Sequence, residues 1–254
     1  MGSVPPIFDA HLHIIDERFP LVPNAGYLPL PFTAEDYLAR ARDLGVTAGA
    51  VVSGSFQAFD QSYLIDALNR LGAGFVGVTQ LPSTAADHEI RVLDDAGVRA
   101  VRLNLYRGGS ETVEHLERTA LRVHDLAGWH VELYVDLADA PQLAGTLERL
   151  PRVSIDHLGM STRGLPHLLR LVEHGVRVKA TGFSRGDLDV PQALQAICDV
   201  DPHALMFGTD LPSTRAQRPF TQADLDLVNA CLPASQARRV LYTNAVHWYR
   251  PAGF

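Results

Sequence analysis

The sequence predicts a (β/α)8 barrel in one domain over residues 1–254, and three observations predict it. Short apolar, β-branched runs alternate eight times with longer amphipathic stretches, the pattern of repeated βα units on a parallel sheet. Gly follows the helical pattern in Leu44-Gly45, Leu71-Gly72, Ala96-Gly97, Ala127-Gly128 and His174-Gly175, as a left-handed helix cap requires. No Pro- or Ser-rich linker, low-complexity tract or shift in composition divides the chain. Its 254 residues match the roughly 250 that a complete barrel takes as one domain. Eight units without a break favour closure over an open doubly wound sheet.

Strands are expected over residues 7–14, 47–53, 74–80, 98–106, 130–136, 153–157, 176–182 and 204–209. Helices are expected over 34–44, 61–71, 85–96, 112–127, 141–150, 165–174, 187–200 and 222–232, with a further one over 234–250. The first βα loop, 16–32, is long and Pro-rich, and loops of that length are usually functional, so it reads as a wall of the site.

Hydrophobic residues make up 46% and charged residues 20%, which suits a chain with a sizeable core. A net charge of −7 argues against nucleic acid or an acidic membrane as partner, because both select for basic surface, but a local Arg cluster can still bind a small anion. Cys198 and Cys231 lie in helix-like stretches without a CxxC or nucleophile signature, as structural thiols of a reducing compartment do. There is no signal-peptide pattern and no apolar run of about 18 residues, so a cytoplasmic setting is expected. Homo-oligomerisation is left open.

The most informative segment is Phe8-Asp9-Ala10-His11-Leu12-His13, answered near the far end by Gly208-Thr209-Asp210-Leu211-Pro212. Residues two apart on a strand point the same way, so both imidazoles should leave one face of the first strand. Paired imidazoles on a rigid strand can hold a metal or polarise a carbonyl, and an Asp at a later strand end can act as base or ligand. An isolated His is more often merely satisfied or exposed, and a chance His-x-His is not rare among 11 histidines. The strand context and the distant Asp set this pair apart.

In a barrel, reactive groups come from the C-terminal strand ends. Strand 2 ends in Ser53-Gly54-Ser55; strand 4 places Arg102, Asn104 and Tyr106 on one face, with Arg107 following. Strand 5 places Glu132, Tyr134 and Asp136 on one face, and strand 6 ends in Asp156-His157. Strand 7 carries Lys179 and leads to Arg185. Interior charges normally pair, so Arg102 and Glu132 could neutralise each other low in the barrel, and Lys179 could be held likewise. By alternation, Asp156 should turn away from His157 and cap or pair outside the barrel. Asp9 could orient a His. Arg215 and Arg218 either join the site or lie on the surface.

The His-x-His, the Gly97-Val98-Arg99-Ala100-Val101-Arg102-Leu103-Asn104 segment, Ile155-Asp156-His157-Leu158-Gly159 and Phe207-Gly208-Thr209-Asp210-Leu211-Pro212 together resemble the amidohydrolase superfamily, in its amidohydrolase-related branch. Within it the chain looks most like 2-pyrone-4,6-dicarboxylate lactonases and related sugar lactonases. The resemblance implies water-mediated opening of a lactone or similar acyl bond, with Asp210 as general base and His11, His13 and His157 stabilising the oxyanion. It also implies that Arg102, Arg107 and Arg185, with Tyr134 and Ser55, hold substrate carboxylates, hence a small anionic substrate. Family members differ in metal use. A single zinc on His11, His13 and Asp210, with His157 nearby, is one expectation, and no cofactor is the other; strand 4 and strand 5 lack the Lys and His of a two-metal site. Two other functions compete with lactone hydrolysis: a metal-dependent decarboxylase of an aromatic or unsaturated acid, and a non-catalytic barrel that binds a small anion. The missing strand-5 His counts against the decarboxylase.

Overall fold

The structure is a computed structural model and describes residues 5–252. Eight parallel strands form one sheet in the order of the chain: β1 (Ile7–Leu12), β2 (Val46–Val52), β3 (Phe75–Thr79), β4 (Val98–Asn104), β5 (His130–Tyr134), β6 (Val153–Ile155), β7 (Arg177–Ala180) and β8 (Leu205–Phe207). Between and after them come α1 (Ala34–Arg42), α2 (Ser62–Leu71), α3 (Asp87–Asp95), α4 (Leu116–Ala127), α5 (Ala144–Leu147), α6 (Leu165–Glu173), α7 (Val190–Val200), α8 (Gln222–Cys231), α9 (Ala234–Arg238) and α10 (Asn244–Tyr249). The fold is the expected (β/α)8 barrel.

Every expected strand is present, and the differences lie at the ends. The stretch 141–150 forms only a 3-10 turn and the four-residue α5, while 234–250 is interrupted by a π-helical segment, Arg239–Thr243. All five predicted cap glycines have positive φ, between 67° and 100°, a region that costs other residues steric strain.

Two apolar layers sit on either side of the sheet. Outside, side chains such as Leu12, Val101, Leu133 and Ile155 pack against the helices. Inside, small residues (Ala10, Ala48, Ala50, Ala100) with Val52, Val76, Val78 and Met206 fill the lumen, and α10 plugs its N-terminal end by stacking Tyr249 on Phe8 with centroids 5.4 Å apart. The seam between the first and last strands is joined past the end of β8: Asp210 N–H donates to the His11 carbonyl at 2.8 Å and His13 N–H to the Leu211 carbonyl at 2.8 Å.

Candidate active site

The histidine pair reaches the lumen through an irregularity rather than through simple alternation. The β1–β2 register shifts between Asp9 and Leu12, which re-aims the chain by one residue. Asp9 therefore turns out towards α1, where its carboxylate accepts from Tyr37 Oη at 3.0 Å, while His11 and His13 both turn into the barrel mouth. Their rings meet edge to face with centroids 5.0 Å apart. Asp9 also accepts from Thr209 N (2.8 Å) and Oγ1 (2.6 Å) and from His11 N (3.2 Å), tying β1 to the segment that carries Asp210. Burial raises the Asp9 carboxyl to about 6 despite these bonds. Gly208 allows the close approach: a Cβ there would stand 2.7 Å from the His11 amide nitrogen.

Asp210 and His157 sit at positive φ, 60° and 53°, a strain that the surrounding structure must hold in place. Asp210 Oδ2 accepts from Arg185 Nε at 2.7 Å, and Arg185 Nη2 donates to the Thr214 carbonyl at 2.7 Å. Burial alone would raise Asp210, but the Arg185 guanidinium and the neighbouring imidazoles hold it well below the usual carboxylate range, so it is ionised. Its other oxygen, Oδ1, has no protein hydrogen bond and lies 3.7 Å from His13 Nε2 and 3.9 Å from His11 Nε2. His13 Nδ1–H donates to the Val52 carbonyl at 2.7 Å, and its Nε2 is the ring nitrogen that faces Asp210. Burial lowers His11 to about 3 and holds His157 well below its ordinary value, so both rings are neutral. Their atoms His11 Nε2 and His157 Nδ1 are also buried without a partner.

Beneath these groups lies a buried ionic layer. Arg102 Nε donates to Asp156 Oδ2 at 2.9 Å and Arg102 Nη1 to the Ser53 carbonyl at 3.2 Å. Lys179, fully buried, is bonded to Glu132 Oε2; Glu132 Oε1 accepts from Tyr249 Oη at 2.5 Å and lies 3.0 Å from His130 Nε2. Two expectations are corrected here. Arg102 and Glu132 stand opposite each other in the β4–β5 register, yet Arg102 pairs with Asp156 and Glu132 with Lys179. Asp156 is inside the barrel, not outside: Ile155 packs outward against the helices, so alternation turns Asp156 inward, and the positive φ of His157, past the end of β6, brings the next side chain to the same mouth.

Above the reactive cluster is a cleft lined by His13, Arg102, Tyr134, His157 and Arg185, with Ser55 and Arg107 at its rim. The Arg102 guanidinium stands 5.3 Å from the Tyr134 ring, and the Tyr134 ring packs against His157 with centroids 4.7 Å apart. All nine residues singled out from the sequence thus converge at the C-terminal end of the barrel. Sequence reading left Arg215 undecided, placed Asn104 on the Arg102 face of the fourth strand without giving it a role, and did not name Tyr27. The structure brings Arg215 over Tyr27 at 4.4 Å, both lining the cleft from the loops after β8 and β1, and Asn104 lines it from the end of β4. The length of the 16–32 loop was the available signal for Tyr27. Arg218 instead pairs with Asp224, away from this cleft.

Ligand atoms of His11, His157 and Asp210 all lie within 4.8 Å of one another, and by type this set could hold one divalent ion. Two contacts work against that use. A ligating imidazole needs an acceptor for its second nitrogen, and of the two neighbours 3.4 Å from His11 Nδ1 it is the Lys179 ammonium, not the Asp156 carboxylate, that stands in hydrogen-bonding orientation. Each nearby carboxylate, moreover, already has its own cation: Asp210 with Arg185, Asp156 with Arg102, Glu132 with Lys179.

A parallel barrel with two histidines at the end of its first strand and an Asp after its eighth defines an enzyme of the amidohydrolase kind, and the comparisons bear this out. The chain belongs to the amidohydrolase family, whose profile matches residues 8–250, and it is a hydrolase. It is 28% identical over 274 aligned residues to a 2-pyrone-4,6-dicarboxylate hydrolase of Comamonas testosteroni, covering 96% of this chain and 90% of that one. It is also 28% identical to a 4-sulfomuconolactone hydrolase of Rhizobium radiobacter, covering 81% and 75%. Among solved structures, a candidate 2-pyrone-4,6-dicarboxylic acid hydrolase of Pseudomonas putida superposes with a TM-score of 0.82 at 26% identity, over 97% of this chain and 98% of that one.

Proposed function

We propose that this enzyme opens a lactone or cyclic ester that carries at least one carboxylate, by attack of water on the ring carbonyl. The observation that carries the reading is one arrangement: the unshared Oδ1 of an ionised Asp210, flanked by three imidazoles, under a cleft rimmed by Arg102, Arg107, Arg185 and Arg215. Both curated relatives reported above are named as hydrolases of anionic lactones, which supports it.

In this reading the substrate carboxylate docks on the rim guanidiniums, with Tyr134 and Ser55 as hydrogen-bond partners, because Arg forks match carboxylates bidentately. Its ring carbonyl then faces His11 and His157. Water lies between Asp210 Oδ1 and His13 Nε2, two acceptors that aim its oxygen at the carbonyl carbon. As the C–O bond forms, the water proton passes to Asp210 and the carbonyl oxygen gains charge beside His11 and His157. Collapse breaks the ring C–O bond, and Asp210 returns the proton to the departing oxygen. His13 is therefore an acceptor in this scheme and not one of three oxyanion donors, since the Val52 carbonyl holds its Nδ1–H.

We propose further that the reaction runs on these side chains without a metal, since the buried charges already balance. The experiment is turnover of a panel of pyrone and sugar lactones, with and without carboxylates, beside elemental analysis and chelator treatment of the purified protein. Activity on carboxylated lactones that survives chelation is expected. CO2 release from an unsaturated acid, dependent on a bound metal, would replace this reading with the decarboxylase.

A further inference from the structure

We infer that Lys179 is a positioning residue that holds His11 in the tautomer with its proton on Nε2, so that the two histidines of the pair do opposite jobs. His11 donates a hydrogen bond into the site, and His13 accepts one.

Two neighbours compete for His11 Nδ1. The Lys179 Nζ stands 3.4 Å away in hydrogen-bonding orientation, and Asp156 Oδ1 stands at the same 3.4 Å but without a hydrogen bond of its own. An ammonium has only donors, so facing it Nδ1 must present its lone pair and the proton must lie on Nε2. Counting hydrogens favours this assignment. Lys179 has three N–H groups and three acceptors around it: Glu132 Oε2, His11 Nδ1 and, at 3.6 Å, Asp156 Oδ1. With the proton on His11 Nε2 all three have a use and Asp156 Oδ1 gains a donor, while the Nε2–H, which has no partner among the described residues, is left for a substrate oxygen. With the proton on Nδ1, it would go to Asp156 Oδ1 and one Lys179 N–H would lose its acceptor in a fully buried layer, where an unmatched donor is costly. Glu132 completes the device. Held by Tyr249 and Lys179, it keeps the cation under His11 and leaves no net charge behind.

His13 has the reverse assignment, because a backbone carbonyl holds its Nδ1–H. The pair is thus set by two different anchors, a buried cation for one ring and Val52 for the other. The consequence for catalysis rests on the hydrolysis proposed above: His11 Nε2–H is the donor that meets the developing oxyanion. The tautomer itself can be read without any turnover.

The test is nitrogen NMR of 15N-histidine-labelled protein, with the His11 signals assigned by their loss in His11→Gln. The expected spectrum shows His11 with a pyridine-type Nδ1 and a pyrrole-type Nε2, and His13 with the opposite pattern. A pyrrole-type His11 Nδ1 in the wild-type protein overturns the inference, whatever the enzyme hydrolyses. In Lys179→Met combined with Glu132→Gln, which removes the cation without stranding a carboxylate, His11 should switch its proton to Nδ1 and donate to Asp156. On a lactone substrate the same variant should lose about 10²–10³-fold in kcat, the cost of one oxyanion donor, with KM little changed. Glu132→Gln alone, which keeps the ammonium, should retain the wild-type tautomer. A His11 tautomer unchanged by loss of Lys179 removes the positioning role.

Discussion

The Asp210 amide donates to the His11 carbonyl at 2.8 Å, so the two side chains leave opposite sides of the barrel seam on backbones bonded to each other. The main chain fixes where the two side chains begin, and each is then held by its own neighbour, Asp210 by Arg185 and His11 by Lys179, with His11 Nε2 3.9 Å from Asp210 Oδ1. Substitution at one should therefore leave the position of the other intact.

From this, Asp210→Asn should fold and lose hydrolysis. Asn tolerates the positive φ that Asp210 adopts, and the amide keeps the shape while removing the base. A loss of about 10²–10⁴-fold in kcat is expected, the usual contribution of a general base, with cooperative unfolding retained. Wild-type turnover in this variant would eliminate Asp210 as the base.

Arg102 has a structural partner, which makes its removal a stability event. Arg102→Met leaves the fully buried Asp156 without its guanidinium, at a cost of about 3–5 kcal/mol. In double-mutant cycles followed by denaturant unfolding, Arg102 should couple to Asp156 by about 0.5–3 kcal/mol and to Glu132 by less than that. Stronger coupling to Glu132 would contradict the pairing seen here.

Arg107 is the contrasting case, because it lies exposed at the rim with its guanidinium over Tyr106 at 5.4 Å. Arg107→Met should leave the melting temperature nearly unchanged and lower kcat/KM on carboxylated lactones by the worth of a charge-assisted hydrogen bond, about 1.5–3 kcal/mol. An equal loss on lactones without a carboxylate would show that Arg107 does not read that group.

Acid should destabilise the protein below pH 6.5, ahead of any carboxylate effect. Burial lowers His130 to about 4 and His11 to about 3, and also depresses His157, so the unfolded chain binds protons that the folded one refuses. Stability from these rings is complete above their unfolded value of 6.5 and is lost as pH falls towards 3–4. Asp9, raised to about 6, has the opposite sign between its ordinary 3.8 and 6, but one carboxyl is outweighed by three imidazoles. His130 lies away from the reactive cluster, and its share is about 3 kcal/mol. Chemical denaturation of His130→Gln from pH 4 to 7 should show a shallower pH dependence than wild type. An identical slope would mean that His130 titrates normally in the folded protein.

The barrel was legible because its causes are local: β-branched runs, amphipathic stretches and five glycine caps each report their own element, and eight in a row leave few ways to pack. The histidine pair, His157 and Asp210 were legible for a similar reason, since strand ends in a barrel converge on one face.

What the sequence by itself determined, then, is the architecture and which residues gather at the mouth. What only the tertiary structure decided is how those residues pair and what each can donate. Strand alternation sent Asp156 outward, and register set Arg102 beside Glu132. The phase of β6, with Ile155 outward and Asp156 inward, and the reach of a long guanidinium reversed both assignments. The division of labour between His11 and His13 has the same origin. Two identical side chains acquire opposite protonation patterns because one meets Lys179 and the other the Val52 carbonyl, contacts between strands distant in sequence. Hydrogen-bond direction depends on which neighbour arrives in three dimensions, and no spacing along the chain encodes it.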